Sequence, residues 1–394
     1  MSRVTLCAQV SFIQVTTLCA AFFAALSTQA QFTVTNLVTD DQAVSPAQIT
    51  DTFLTNAWGI SHSAGSPFWV SDNATGVATL YQVNPNTNAT TKMILGSPPD
   101  ASGGVVIPPP GSGTPTGQVF NTASATGAFN GDAFLFVSED GTISGWRNAL
   151  GTTAEVLQLA DTPNVYKGTT LDTTGGHSYL LSANFRAGTI DVVKGDAGAP
   201  DLAGKFVDPN LPAGYAPFNV QTLGSTIYVA NALQDATKHD DDAGPGHGFV
   251  NAFDQQGNFL GRIGSMGPLN SPWGLAIAPS SFGSFAGDLL VGNFGDGTIN
   301  VFNPNPATPG IVGQLSAVGG KPIVIDGLWG LIAGNDGNGG SSQKIYFSAG
   351  PNSEANGLFG VLQAVPEPSS IVLAAVGLLA GPWTWKNSKR RVTA

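Results

Sequence analysis

Residues 289–302 read LLVGNFGDGTINVF, which is a short apolar strand, a Gly-rich turn and a second, alternating strand. The same hairpin recurs along the chain, with further copies starting at Phe68, Phe134, Tyr179, Ile227 and Ile345. The marker glycines fall at positions 76, 141, 188, 248, 297 and 357, about 56 residues apart on average. Glycine adopts the positive φ of a tight turn without steric cost. Repeats of about 40–60 residues with roughly four short strands each are typical of β-propellers. We therefore predict an all-β, six-bladed β-propeller.

Composition agrees with a turn-rich β protein. The 394 residues include 51 Gly and 26 Pro, whereas charged residues make up only 10% and hydrophobic residues 42%. So few charges exclude a disordered polyelectrolyte, and so many glycines disfavour a helical bundle. A two-domain β-sandwich is the alternative all-β fold, but it would not explain one hairpin repeated six times.

A second marker precedes three of the hairpins. The segments NAWGI (56–60), SPWGL (271–275) and GLWGL (327–331) each place a Trp-Gly pair before the apolar strand. We predict that these segments are innermost strands, and that the strand at residues 32–38 closes the ring against the last blade. Packing between blades is the favoured role for the repeated tryptophans, and contact with a glycan or another partner is the alternative. The three are Trp58, Trp273 and Trp329.

The N-terminus is predicted to be a secretory signal peptide over residues 1–30. Arg3 supplies the positive start, an apolar run follows through Leu26, and small residues lead to Ala30. Both cysteines, Cys7 and Cys19, lie within this segment, so the rest of the chain has no disulfide. The predicted domains are the signal peptide, a propeller over 31–363 and a sorting segment over 364–394.

The C-terminal segment has three parts in order. The sequence VPEPSS (365–370) is followed by an uncharged apolar run over 371–385 and then by a basic end. About 15 apolar residues are short for a full membrane span, so the run is predicted to be a sorting helix whose basic tail stays cytoplasmic. The residues that define the pattern are Pro366, Glu367, Pro368, Lys389, Arg390 and Arg391.

This tail resembles the PEP-CTERM sorting signal of Gram-negative bacteria. The resemblance implies recognition by exosortase, a membrane protease-transpeptidase, and export in species that produce exopolysaccharide or biofilm. It also implies that the short helix anchors the chain transiently in the inner membrane. We therefore expect a location at the cell surface or outside the cell.

The body of the chain resembles a bacterial propeller family that is distantly similar to six-bladed NHL-type propellers. The resemblance is carried by residues 36–38, 58–60, 292–297 and 325–330. It supports the predicted fold and implies no catalytic residues.

The charge balance disfavours nucleic acid as a partner. Residues 31–365 hold 10 basic and 25 acidic side chains, a net charge of −15. Nucleic-acid binding depends on Lys and Arg that neutralise phosphates, so such a domain repels that partner.

Chemistry-bearing motifs are sparse. The chain has no G-x-S-x-G, H-E-x-x-H or P-loop sequence. Consecutive aspartates can supply hard oxygen ligands for Ca²⁺, and aspartates at the channel mouth can hold a divalent ion. A solvated loop and turn-fixing side chains are the favoured interpretations of these residues. The metal-ligand candidates are Asp240, Asp241, Asp242, Asp296 and Asp326.

Two functions remain open from the sequence. The first is a non-catalytic, exported module that binds a glycan or a protein, or builds the matrix, with exopolysaccharide or surface proteins as partners. The second is a divalent-metal-dependent hydrolase or lactonase with its ion in the propeller channel. The chain has only four glutamates, which weakens the second hypothesis.

Overall fold

The computed structural model describes residues 30–97, 99–109, 113–161 and 163–365. These residues form six β-sheets arranged as blades around a central channel, which confirms the predicted six-bladed propeller. Residues 1–29 of the predicted signal peptide and residues 366–394 of the predicted sorting segment lie outside the described residues. Within the described ranges, no helix is both long and apolar enough to span a bilayer.

The strands are numbered in chain order. The first half of the propeller contains β1 (Gln31–Thr39), β2 (Ile49–Thr50), β3 (Ala57–Ser61), β4 (Phe68–Asp72), β5 (Val77–Val83), β6 (Thr90–Met93), β7 (Val105–Val106), β8 (Pro115–Phe120), β9 (Phe134–Ser138), β10 (Ile143–Trp146), β11 (Glu155–Gln158), β12 (Tyr166–Thr174), β13 (His177–Asn184) and β14 (Thr189–Lys194).

The second half contains β15 (Tyr215–Leu223), β16 (Thr226–Leu233), β17 (Gly248–Phe253), β18 (Phe259–Ser265), β19 (Pro272–Ile277), β20 (Leu289–Asn293), β21 (Ile299–Phe302), β22 (Ile311–Gln314), β23 (Ser316–Ala317), β24 (Leu328–Ala333), β25 (Ile345–Ala349) and β26 (Leu358–Ala364). Short 3-10 helices lie at Ser124–Thr126, Ala128–Gly131, Asn148–Leu150 and Ser280–Phe285.

Each blade is an antiparallel sheet built outward from the channel. Blade one is β3-β4-β5-β6 with β7 against β5, blade two is β8 to β11, and blade three has only β12 to β14. Blade four is β15 to β18, blade five is β19 to β22, and blade six is β24-β25-β26-β1. The repeated hairpin of the sequence is therefore the second and third strand of every blade. The chain passes from blade one to blade two after β7, and blade two begins with β8 at Pro115.

The N-terminal strand closes the ring, as predicted. β1 runs antiparallel to β26, with Val34 opposite Leu362, and so becomes the outer strand of blade six. Phe32 on this strand is 1% exposed, and its ring lies 4.7 Å from that of Phe282 in blade five. The first and last parts of the chain are thus held together by both a backbone ladder and buried aromatic packing.

All six innermost strands carry an irregularity at the same place. The pairing register with the second strand shifts there, as in a β-bulge. The residue pairs at the shift are Trp58-Gly59, Thr116-Gly117, Lys167-Gly168, Phe218-Asn219, Trp273-Gly274 and Trp329-Gly330. A Cβ on Gly59 would lie 2.4 Å from the Thr116 carbonyl oxygen, and one on Gly117 would lie 2.5 Å from the Thr169 amide nitrogen. The second residue is glycine in five blades because neighbouring inner strands approach each other closely there.

Candidate functional site

The mouth is the end of the channel at which the innermost strands begin. Because β3 is antiparallel to β4, and likewise in every blade, the loops that follow the second strands lie at this same end. The first residue of each bulge and the loop residues therefore meet around the channel axis.

Aromatic rings from several blades fill the channel at the mouth. The Trp58 ring stacks on Trp329 with centroids 3.6 Å apart, and Trp273 lies edge-on to both at 6.3 and 5.8 Å. Phe294 stacks on the other side of Trp329 at 4.0 Å. Phe185 and Phe218 complete the cluster. We call this group the aromatic plug.

The three predicted tryptophans thus come together, but they are closed to solvent. Trp58, Trp273 and Trp329 are 2%, 5% and 1% exposed. Trp58 and Trp329 join the neighbouring blades one and six, and Trp273 of blade five contacts both rings, so packing between blades accounts for their burial. Stacking of a sugar on their faces stays a prediction that would require the plug to open.

Lys167 occupies the bulge position that holds tryptophan in three other blades. It is 1% exposed, and its ammonium lies 5.1 Å above the centre of the Trp58 ring. Glu139 of blade two binds the ammonium, and Asp240 of blade four binds it at 2.9 Å. Burial by itself would lower the pKa of Lys167, but the charges of Glu139 and Asp240 reverse this and raise it. The lysine is therefore a buried cation.

Hydrogen bonds extend from Lys167 along the mouth. Asn73 Nδ2 donates to Glu139 Oε2 at 3.1 Å, and Asn56 Nδ2 donates to Asn73 Oδ1 at 3.3 Å. The same Asn56 amide donates to Glu354 Oε2 at 2.8 Å. Five blades contribute to this arrangement, which we call the mouth network: Asn56, Asn73, Glu139, Lys167, His239, Asp240 and Glu354.

The carboxyl groups of the network differ in their surroundings. Burial raises the pKa of Glu354, and the nearby negative charge of Glu139 adds to the effect. Burial would also raise the pKa of Asp240, but Lys167 and His239 outweigh it and lower the value. The surroundings of Asp240 thus favour its charged form, whereas burial disfavours the charged form of Glu354.

Loops in unusual backbone conformations hold the network. Asn352, Ser353 and Glu354 follow one another with φ of 58°, 53° and 65°, and Asn56 has φ of 51°. Residues other than glycine seldom adopt this left-handed region, and such positions concentrate at functional sites. Glu354 is therefore placed over the mouth by a loop that accepts a conformational cost.

Several buried polar atoms beside the network lack hydrogen-bond partners among the described residues. The indole N–H groups of Trp58 and Trp273 have no acceptor, and Oδ2 of Asp241 and the hydroxyl of Ser271 lie beside each other without a well-aligned hydrogen bond. Buried polar groups are nearly always paired in proteins, by protein, water or ligand. The unpaired donors and acceptors therefore mark the mouth as a place where a polar ligand can bind.

The predicted metal-ligand residues do not form one cluster. Asp240 belongs to the network, while Asp241 is half-buried behind it, with a pKa raised by burial. Asp242 is exposed, and its backbone carbonyl contacts His247. Asp296 accepts hydrogen bonds from Thr298 and so fixes its own turn. Asp326 is exposed and accepts from the backbone N–H of Asn352.

A different trio brings metal-ligating atoms together. Glu139, His239 and Asp240 place one ligand atom each within 4.8 Å of one another, the one such group in the described ranges. However, Lys167 already binds both carboxylates. A divalent ion between them would lie beside a buried ammonium, so this trio does not fit a divalent ion as it stands.

Sequence reasoning missed most of the network. The sequence patterns described above include Asp240 but do not single out Glu139, Glu354, Lys167 or the two asparagines. The available clue was positional: Lys167-Gly168 precedes its apolar strand as Trp58-Gly59 does. Aligning all six repeats on that pair would have exposed a charged residue in an aromatic position.

Comparisons with known proteins agree with the class that this fold and tail define. Residues 364–391 match the PEP-CTERM protein-sorting motif, which confirms the predicted sorting signal. That motif indicates secretion and sorting to the cell surface in Gram-negative bacteria, and it implies processing by an exosortase. The chain is thus an exported six-bladed propeller.

Two relatives define its family. Uncharacterized protein L690 of Acanthamoeba polyphaga mimivirus is 31% identical over 327 residues, which cover 79% of this chain and 81% of that protein. Uncharacterized protein R648 of the same virus is 32% identical over 328 residues, which cover 79% and 75%. The chain belongs to the family of these viral proteins.

One solved structure shows the fold alone. The alpha-L-arabinanase of Penicillium chrysogenum, complexed with arabinobiose, has a TM-score of 0.50 and 10% sequence identity. The match covers 84% of this chain and 98% of the arabinanase.

Proposed function

We propose that this exported propeller is a glycan-binding module and that the ligand binds at the channel mouth. The observation that carries the proposal is the mouth network, in which side chains from five blades converge on one opening. Carboxylate and amide oxygens accept hydrogen bonds from hydroxyl groups, and amide N–H groups donate to them. A sugar presents several hydroxyls at fixed spacing, so it matches such a set of groups.

The surroundings of the network support the same function. Ligand sites are typically concave, largely apolar and furnished with a few convergent polar groups. Here the aromatic plug forms the floor, while Asp240 and His239 stand at the exposed edge. The sorting tail also delivers the chain to the surface, and bearers of this tail are exported in species that secrete exopolysaccharide.

A divalent-metal-dependent hydrolase or lactonase is the second candidate, because Glu139, His239 and Asp240 lie within ligand range of one another. The Lys167 ammonium argues against it on charge. An ion at 100 times its dissociation constant would stabilise the fold by about 2.7 kcal/mol. We expect no such rise in the unfolding midpoint with Ca²⁺, and a rise abolished by Asp240→Asn would favour the metal site.

Calorimetric titration of the full-length chain with fragments of its host's exopolysaccharide tests the proposal. We expect saturable binding that Asp240→Asn weakens by about tenfold, which corresponds to 1.4 kcal/mol. Asp296→Asn is the matched control, because it also removes a negative charge from a loop at the mouth end of the channel. The asparagine Oδ1 can still accept the hydrogen bonds from Thr298 that fix the turn. Equal binding by all three proteins, or binding only to a surface protein, would contradict a glycan site at the mouth.

A further inference from the structure

Two carboxylates of the mouth network share one buried cation, and a third has no cation within ion-pair distance. Lys167 binds Glu139 and Asp240, and His239 contacts the same Asp240 at 3.0 Å. Glu354 forms no ion pair within the described part of the chain, and its side chain accepts a hydrogen bond from the neutral amide of Asn56. Lys167 therefore acts on Glu354 only at longer range, and that carboxylate has no direct ion-pair partner.

Asp241 adds a second carboxyl without an ion pair close by. Its Oδ2 atom is buried and makes no well-aligned hydrogen bond among the described residues, although the Ser271 hydroxyl and the charge of Lys167 partly compensate it. A buried carboxyl without an ion pair is costly, and a cation from outside the chain would relieve that cost. The mouth thus carries an electrostatic demand that the protein itself does not meet.

The unpaired indoles add a separate requirement. Trp58 and Trp273 are at least nine-tenths buried, and their N–H groups have no acceptor. The Trp58 ring is the one on which the Lys167 ammonium lies, so this donor belongs to the same opening. A donor of this kind is satisfied by a hydroxyl oxygen rather than by a cation.

Resting on the glycan site proposed above, we infer that the mouth selects an amino sugar whose free ammonium binds Glu354. Such a sugar carries an ammonium and hydroxyl oxygens on adjacent carbons and so meets both requirements at once. Charge-assisted hydrogen bonds are the stronger ones, which gives the ammonium its advantage over an acetamide. A uronic acid is excluded because its carboxylate would face Glu354 and Asp240, and the propeller as a whole is strongly acidic.

Three oligosaccharides of equal length distinguish the classes: β-1,4-linked glucosamine, β-1,4-linked N-acetylglucosamine and galacturonic acid. They are titrated calorimetrically into the full-length chain at a pH just below neutral. We expect the glucosamine oligomer to bind at least tenfold more tightly than the N-acetylated one, with a preference that shrinks as salt rises. Galacturonic acid should bind weakest.

Glu354→Gln should lower affinity for the glucosamine oligomer by about tenfold and affinity for the N-acetylated oligomer by much less, so that most of the preference is lost. Asp326→Asn is the control, because Asp326 bonds the backbone of Asn352 in the same loop and the change removes the same charge. Thermal unfolding midpoints verify that both variants fold. If Glu354→Gln fails to fold, Asp241→Asn is used to repeat the test. Equal affinities for the first two oligomers, or tighter binding of galacturonic acid, would overturn the inference and leave the glycan site standing. Failure of every glycan, host polysaccharide included, would overturn both.

Discussion

Lys167 and Trp58 occupy the same position in the innermost strands of their blades, and the Lys167 ammonium lies 5.1 Å above the centre of the Trp58 ring. Glu139 and Asp240 bind the same ammonium from blades two and four. A buried charge is tolerated when opposite charges and an aromatic face compensate it. Lys167 of blade three therefore connects its own blade to blades one, two and four at the mouth, where it takes the place of the aromatic side chains found in other blades.

Lys167→Met should destabilise the fold strongly, because Glu139 and Asp240 would lose their cation. Breaking one partner of a buried pair costs about 3–5 kcal/mol. Denaturant unfolding measures the loss. The double variant Lys167→Met with Glu139→Gln should recover part of the lost free energy of unfolding, because it removes the Glu139 carboxylate together with the ammonium.

Lys194→Met is the control for that series, because Lys194 pairs with the exposed Asp201 at 2.6 Å on the surface. We expect no measurable change in its unfolding midpoint. If Lys167→Met changed the unfolding midpoint as little as Lys194→Met does, Lys167 would have no structural role at the mouth.

Gly59→Ala should also destabilise the propeller. The new Cβ would lie 2.4 Å from the Thr116 carbonyl oxygen, so the innermost strands of blades one and two would have to separate. Overpacking of this kind costs about 1–3 kcal/mol. Gly65→Ala has nothing within 4 Å of the new Cβ and should leave the denaturation midpoint unchanged. Equal midpoints for both variants would show that the inner ring is not tightly packed.

Ring closure should depend on the Phe32 side chain. It is 1% exposed and packs against Phe282 and Phe285 of blade five. Removing a buried Phe ring costs about 3–5 kcal/mol, and thermal unfolding of Phe32→Ala measures it. Val34 on the same strand is 40% exposed, so Val34→Ala should have little effect. A small effect of Phe32→Ala would mean that the backbone ladder alone closes the ring.

Asp132 should make stability depend on pH. Burial raises its pKa from 3.8 to about 6, a shift that Arg147 only partly offsets. The folded state then holds a proton that the unfolded chain has already released, so stability falls as pH rises from 3.8 towards about 6. Asp132→Asn should flatten that part of the curve in urea unfolding measured across pH. An unchanged slope would assign the dependence to other groups.

The fold was predictable because its determinants are local and repeated. Each strand or turn is specified within a few residues by a hairpin glycine, an alternating strand or a Trp-Gly pair. A single hairpin would be ambiguous, but six copies of it are not. The closing strand was predictable for the same reason, since an open edge must be covered and Phe32–Val38 alternates suitably.

The mouth network was not predictable in the same way. Glu139, Lys167 and Glu354 are separated by 28 and 187 positions in sequence and meet only through the circular order of the blades. Asp240 is one of three consecutive aspartates, a pattern that predicts ion ligands, yet its side chain binds Lys167. Sequence spacing carries no information on such contacts until the repeats are aligned on the bulge.

Tryptophan fluorescence of the full-length chain during titration with the host's exopolysaccharide tests the glycan site most directly, since the ligand would bind to the mouth network beside Trp58. We expect a saturable change in emission that is lost in the double variant Asp240→Asn with Glu354→Gln and retained in Asp296→Asn. An emission change that persists in the double variant, or no change at any polysaccharide concentration, would contradict binding at the channel mouth.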